Sequence, residues 1–318
     1  MKYRKLGKCG TKVSVIGIGS WLTLGGSVEK KSGDKIIRLA FDNGINFFDT
    51  ADVYAKGEAE KFLGNSLRNF KRQDLVIATK CFGAMSQNSN DKGLSRKHIF
   101  ESVNNSLTNL KTDYIDIYQC HRYDTDTPLE ETCRAFNTLI ELGKILYWGV
   151  SEWSRKEIEN AVNFCDLNGL HKPVSNQPQY SLLSRDIETN GVLNYCSKEG
   201  IGLVVWSPLA QGVLTGKYNK KKIDKDSRLM DKNNNMFVKK LASEENLKKV
   251  GKLIKLAEEL KTTPSNVALA WCLRNEIVSS VITSSTKESQ LKENIKASEL
   301  QLSGNILKQT EQIFKIIK

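Results

Sequence analysis

The chain has 318 residues, 39% of them hydrophobic, and 48 lysines and arginines against 36 aspartates and glutamates, a formal charge of +12. That is ample apolar material for a buried core and suits one large α/β domain spanning 1–318. No stretch approaches the roughly 20 apolar residues that cross a bilayer, which argues against direct membrane insertion. The basic charge is dispersed, without a basic stripe interleaved with aromatics, which argues against a nucleic-acid partner.

The first residues, Met1 to Lys12, are polar and basic, and no apolar run precedes a small-residue cleavage site. A cytoplasmic protein is expected. The densest basic run, Lys220 to Lys222, lies in a polar loop and reads as a solvated face. Excess positive charge is better spent on an anionic small molecule, such as a phosphorylated cofactor. Seven scattered cysteines include no CxxC, and Cys120, Cys133, Cys165 and Cys196 fall in apolar-periodic segments as free buried thiols.

In chain order, Tyr3 to Val13, with Gly7 and Gly10, reads as a β-hairpin that plugs the bottom of a barrel. Strand-length apolar runs follow at Val15 to Gly19, Ile45 to Phe48, Leu75 to Thr79, Tyr114 to Cys120, Ile145 to Val150, Val174 to Gln177, Gly202 to Trp206 and Val278 to Thr283. Between them lie helical patterns with recognisable ends. Ile36, Ile37, Ala40 and Phe41 form an apolar stripe closed by Gly44. Ser95 caps a helix carrying Ile99, Val103, Leu107 and Leu110. Thr127 to Glu130 reads as a capping box with Pro128 at the first helical position, and that helix ends at Gly143. Ser154 and Glu157 repeat the pattern. Eight strands with helical crossovers predict a closed (β/α)8 TIM barrel, with an open doubly wound sheet as the alternative. From Gly216 to about Ser243, after the seventh barrel strand, runs a long polar loop with Asn233 to Asn235 in sequence. A loop of that length in a compact domain is usually functional, and this one is expected to overhang the barrel mouth.

Asp49, Tyr54, Lys80 and His121 each stand at or just past the C-terminal end of a predicted strand, where barrel active sites lie. Together they form a set able to protonate a carbonyl oxygen. Lys80 is expected to lower the phenol of Tyr54 from its usual pKa of about 10. Asp49 is expected to hold Lys80 charged, and His121 to donate a hydrogen bond to the carbonyl. None of these groups donates hydride, so a nicotinamide is implied. No GxGxxG opens a helix after the first strand; Gly17 and Gly19 run into Ser20-Trp21-Leu22 instead. Trp21, Tyr54, Trp153 and Tyr180 are candidates to wall an apolar pocket, with core packing the alternative for each. A Schiff-base lyase acting through Lys80 is disfavoured, because Asp49 keeps that lysine charged.

Gly44-Ile45-Asn46-Phe47-Phe48-Asp49-Thr50-Ala51, with Tyr54, Lys80 and His121, resembles the aldo-keto reductases over nearly the whole chain. Gly93 to Ile99, Trp206 to Ala210 and Ala270 to Asn275 are similar to the branch that holds the voltage-gated potassium channel β subunits and their bacterial reductase relatives. The resemblance implies a TIM barrel, NADPH/NADP+, and reduction of a small carbonyl substrate with Tyr54 as the acid. It also implies that Ser151 and Gln177 hold the nicotinamide carboxamide and that Trp206 stacks on the ring. Ser20, Trp21, Asp49, Ser207, Leu209, Gln211 and Gly212 fall on cofactor or substrate-pocket positions. Lys217 and Arg228 match pyrophosphate contacts, Thr286 and Gln290 positions near the 2′-phosphate, and Glu293 and Asn294 adenine contacts; Ser284, also a cofactor-site candidate, stands where the branch has a glycine, and Thr286 where it has a serine. A homotetramer and a membrane channel partner are further implications. Glu152 departs from the arginine or asparagine common after Ser151. His121 departs from the asparagine of the channel branch and favours turnover.

Overall fold

The computed structural model describes residues 1–23, 29–220, 223–224, 227–231 and 235–315. Lys221 and Lys222, and Asn233 and Asn234 of the long loop, lie outside the described residues. Strands β1 (Tyr3–Lys5) and β2 (Lys12–Ser14) pair antiparallel as the expected hairpin. Eight parallel strands then close on themselves in chain order: β3 (Ile16–Gly19), β4 (Phe47–Asp49), β5 (Val76–Cys81), β6 (Ile115–Cys120), β7 (Ile145–Ser151), β8 (Ser175–Gln177), β9 (Gly202–Val205) and β10 (Val278–Thr283). Because β10 pairs with both β3 and β9, the sheet has no edge and the open-sheet alternative is excluded.

Helices α1 (Lys30–Asp42), α2 (Glu58–Leu67), α3 (Arg96–Leu110), α4 (Leu129–Glu141) and α5 (Arg155–Leu167) follow β3 to β7 in turn. After β8 come α6 (Asp186–Thr189) and α7 (Val192–Glu199). After β9 come α8 (Met236–Leu241), α9 (Glu244–Glu259) and α10 (Pro264–Leu273), and after β10, α11 (Glu288–Lys296) and α12 (Gly304–Ile313).

Period-two alternation sorts each strand into an inner and an outer face. In β5, Val76 and Ala78 join Phe47, Ile117, Val204 and Ile282 inside the barrel, whereas Ile77 and Cys81 pack outward beneath the helices. Lys80 is in phase with Val76 and Ala78. The same alternation in β6 puts Gln119, and His121 beyond it, in phase with the inward Ile117. The pleat thus aims the functional side chains into the mouth before any of them interact.

The hairpin closes the opposite end. Leu6, at its turn, is fully buried within the inner cluster. Gly7 has φ +56°, and a Cβ there would lie 2.1 Å from the Gly200 carbonyl oxygen, so the turn seats only with glycine. Lys8 N–H donates to that carbonyl at 2.8 Å.

Helix ends follow the capping rules with one correction. Ser95 accepts from His98 N–H, and Ser154 with Glu157 forms a complete capping box. The capping box expected at Thr127 is absent: α4 starts at Leu129, with Pro128 in the cap position and no side-chain cap. The Thr127 hydroxyl instead donates to the Asp124 carboxylate at 2.8 Å, an ionised acceptor that also takes Leu94 N–H. All seven cysteines are free thiols, and Cys120, Cys133, Cys165 and Cys196 are buried.

Leu6→Ala leaves a cavity at the barrel floor and is expected to cost about 2–5 kcal/mol of unfolding free energy. A denaturant titration checks it, with Lys5→Ala on the exposed side of the hairpin as the reference change.

Candidate active site

The mouth is organised by an ion pair. Lys80, fully buried at the end of β5, donates to both oxygens of Asp49 at 2.9 and 2.8 Å and to the Thr50 carbonyl at 2.6 Å. These bonds employ the three N–H groups of an ammonium. Gln177, from β8 across the barrel, donates its amide N–H to Asp49 Oδ1 at 2.8 Å, and Ser151 donates its hydroxyl to the Gln177 carbonyl at 2.9 Å. Three strand ends, β4, β5 and β8, are therefore tied through one carboxylate, and β7 joins them through Gln177. Ser20, ending β3, adds a fifth by donating its hydroxyl to Thr50 Oγ1 at 2.8 Å.

Tyr54 stands on a short turn beyond β4 in which Ala55 and Lys56 hold left-handed φ of 48° and 50°. Its ring lies 5.1 Å from the Lys80 ammonium and meets the His121 imidazole edge to face at 5.6 Å. The four expected residues do converge. Their electrostatics differ from the expectation in one respect. Burial pushes the Tyr54 phenol above its ordinary value near 10; the Lys80 charge pulls the other way, and Asp49 adds to the rise. An ammonium already paired with a carboxylate offers the phenolate little net field, so desolvation wins. Tyr54 is therefore a protonated phenol throughout the neutral range. Burial alone would lower Lys80, but the charge of Asp49 outweighs it, with Tyr54 adding once it is ionised, and the ammonium is raised above its ordinary value. Burial, then the charges of Lys80 and Arg122, push His121 down to about 2, leaving a neutral imidazole.

The remaining site positions fall into two groups around this centre. Half-buried Trp206, just past β9, donates its indole N–H to Glu152 at 2.8 Å. Ser207 and Gln211 are left-handed, and the Ser207 hydroxyl accepts from the Gln211 backbone N–H at 3.2 Å and its side-chain amide at 2.8 Å. Leu209 is half-buried in the same turn. Gly212 has φ +90°, and the Lys217 ammonium occupies the space of its missing Cβ, 2.8 Å away. Arg228 donates to the Gln211 side chain and lies 5.6 Å over the Trp21 ring. Trp21 in turn meets Phe237 of α8 edge to face at 5.7 Å. The second group surrounds the start of α11. The Ser284 hydroxyl donates to the Gly19 carbonyl at 2.9 Å, and the Gln290 side chain accepts from Thr286 N–H at 2.9 Å. Glu293 is committed to Thr263, Asn266 and Lys296, and Asn294 is buried beside it.

Two expected pocket walls are not there. Trp153 is buried under Tyr123, 4.8 Å away, and Tyr180 is fully buried with its hydroxyl donating to Glu188 at 2.5 Å. Both aromatics serve the outer core. Their apolar neighbours at helical and strand spacing are the same for a core role as for a pocket wall, so the residues alone left the choice open.

Asp52 was not anticipated. It is buried between β4 and α3, accepting from Val53 N–H at 2.6 Å and the Ser102 hydroxyl at 2.7 Å, while its own N–H donates to the Lys80 carbonyl. Burial raises its carboxyl to about 7, with the Ser102 bond opposing and Glu60 adding to the rise. Nothing in the run Thr50-Ala51-Asp52-Val53 marks a buried acid. Because the folded value exceeds the ordinary 3.8, this group's stabilising contribution is whole below about pH 4 and is lost as pH rises through about 7. Relative to Asp52→Asn, the wild type is expected to lose roughly 1 kcal/mol of stability per pH unit between pH 5 and 7, the slope fading as pH passes 7. Parallel chemical denaturation of both proteins across that range checks the slope.

Comparison with known proteins agrees with this geometry. A family model described as Aldo/keto reductase family matches residues 15–315. A protein of Arabidopsis thaliana named probable voltage-gated potassium channel subunit beta is 44% identical over 99% of this chain and 97% of its own length. A protein of the same name from Oryza sativa subsp. japonica is 44% identical over 93% of this chain and 91% of its own. A putative voltage-gated potassium channel subunit beta of Schizosaccharomyces pombe is 41% identical over 98% of this chain and 92% of its own. With a matched family model from the first barrel strand to the last helix, a closed eight-stranded barrel and the four converging residues at its mouth, the chain belongs to the aldo/keto reductase family.

Proposed function

We propose that this chain reduces small aldehydes or ketones to alcohols with NADPH, using Tyr54 as the general acid. The observation that carries the reading is the convergence of a protonated phenol, a neutral imidazole and a buried Lys80–Asp49 pair at one barrel mouth. When bound, the reduced nicotinamide supplies hydride to the carbonyl carbon.

The residues present suit that cofactor. Burial, then the charge of Arg228, lowers Lys217, and burial lowers Arg228, as expected of cations placed for a phosphate-rich ligand. The buried Ser285 hydroxyl, beside Ser284 and Thr286, has no hydrogen-bond partner among the described residues. Ser151, Gln177 and Trp206 would hold the nicotinamide end, Lys217 and Arg228 the pyrophosphate, and Ser284, Thr286 and Gln290 the adenosine 2′-phosphate. Glu293 and Asn294 would border the adenine.

His121, neutral, donates its single N–H to the substrate carbonyl and orients it. Tyr54 holds a proton at the same oxygen and releases it as negative charge develops there. Lys80 stabilises the phenolate left behind, and Asp49 keeps Lys80 charged and fixed. The raised Tyr54 value keeps this acid loaded at neutral pH; the cost is a weaker acid, which Lys80 offsets when the phenolate forms.

The relatives' names favour a second reading, a β subunit that docks on a potassium channel; with it we propose cofactor sensing and assembly as a homotetramer. Co-purification with a channel, or its failure, decides that reading separately from turnover.

Tyr54→Phe is expected to lower kcat by about 10²–10⁴-fold with NADPH affinity changed less than twofold. A panel of small aldehydes that produces no loss of NADPH absorbance with the wild-type protein would sink the reductase assignment. Lys217→Ala is expected to weaken NADPH binding by about 10-fold or more, the worth of a charge-assisted hydrogen bond, as read by titration calorimetry.

A further inference from the structure

The carboxylate of Glu152 stands where the site described above does not need one. It follows Ser151 at the end of β7, in a left-handed conformation with φ +58°. One oxygen, Oε1, accepts both the Gln179 backbone N–H at 2.5 Å and the Trp206 indole N–H at 2.8 Å. Gln179 and Trp206 are themselves bridged as an isolated parallel pair. A non-glycine residue with positive φ costs strain, and it persists here because two hydrogen bonds hold the side chain across β7, β8 and β9. Glu152 is exposed and forms no ion pair among the described residues. Two cations of the mouth have partners of their own: Lys80 is bonded to Asp49, and Arg122 to the His121 carbonyl.

A neutral acceptor could make both of these hydrogen bonds. The full negative charge is therefore surplus to the structural role, and it is fixed between Ser151 and Trp206, the residues assigned above to the nicotinamide end. An oxidised nicotinamide ring carries a positive charge and a reduced one does not. We propose that Glu152 sets the redox preference of this site: its carboxylate favours the oxidised cofactor over the reduced one, while its two hydrogen bonds hold Trp206 in place. The inference rests on the cofactor reading given above. Glu152 is a positioning residue with an electrostatic consequence; it transfers no proton. Preferential binding of the oxidised form makes hydride donation from the bound cofactor more favourable and slows exchange of the spent cofactor. For a chain that also served as a sensor, it would tune the response to the ratio of the two forms.

Dissociation constants for NADP+ and NADPH are to be measured by calorimetry on the wild type, Glu152→Gln and Trp206→Phe. A unit charge beside a cationic ring in a partly wetted cleft shifts affinity by about five- to tenfold. Glu152→Gln, which keeps an acceptor oxygen, is expected to weaken NADP+ by that factor and NADPH by less than twofold. Trp206→Phe removes the indole donor but keeps the charge, so both forms weaken together and their ratio stays near that of the wild type. On the unaltered protein, rising salt should narrow the ratio, since an exposed charge is screened. An unchanged ratio in Glu152→Gln, or equal weakening of both forms, overturns the proposal while leaving the cofactor reading intact. Failure of either form to bind the wild type overturns both.

Discussion

A lysine and an aspartate sealed inside the top of a barrel are an expensive arrangement. Desolvating each ion costs about several kcal/mol, and the pair is tolerable only if its remaining hydrogen-bonding capacity is filled. Here it is filled from all sides: two Asp49 oxygens and the Thr50 carbonyl receive the three ammonium protons, and Gln177 reaches across the barrel to the same carboxylate. The ends of β4, β5 and β8 meet through this pair. Thr50 presents its carbonyl to the ammonium, and the same short loop carries the Tyr54 ring to within 5.1 Å of it. A tightly paired lysine also explains why the phenol is not acidified in the resting site.

Stability and chemistry occupy opposite ends of the same inner cluster. The floor is apolar, with Leu6 of the hairpin plugging a layer of Phe47, Val76, Ala78 and Ile117. The next layers up become polar, through Gln119 and Ser175 to the ion pair. Gly149, between those two in the strand register, leaves room for the Ser175 hydroxyl, which would lie 2.2 Å from a Cβ there. Buried side-chain atoms of Gln119 and Ser175 lack partners among the described residues, so this layer is loosely committed compared with the one above it. Above that floor the hydrogen-bonded rim surrounds Tyr54, and the loop beyond β9 brings Arg228 over Trp21 as a separate, outer layer.

Much of this was legible in the residues. Strand runs, their period and their polar ends predicted the closed barrel, and Ser95, Ser154 and Glu157 announced their helix starts through chemistry that is local. The four mouth residues were recognisable because Asp49 and Lys80 lie at strand ends and Tyr54 and His121 just past them, where barrel active sites lie. What could not be read depends on long-range neighbours. The direction of the Tyr54 shift is a contest between burial and an ion pair, and only three-dimensional packing sets the winner. Thr127 has the right spacing for a cap, yet Asp124 competes for its hydroxyl. Phe237 reaches Trp21 from a segment with no periodicity, and the acid at Asp52 is buried by α3, which lies some 50 residues along the chain. The contributions of Trp153 and Tyr180 to the outer core were indistinguishable from pocket walls, since apolar contacts leave the same pattern either way.

The central claim is that the proton comes from a phenol kept protonated by burial beside a paired lysine. The pH dependence of kcat/KM for carbonyl reduction tests it most directly. The account predicts a plateau through the neutral range and a single alkaline limb at or above the ordinary tyrosine value of about 10. An alkaline limb centred near neutrality, or a profile left unchanged when Tyr54 is replaced by phenylalanine, would show that another group supplies the proton and would contradict it.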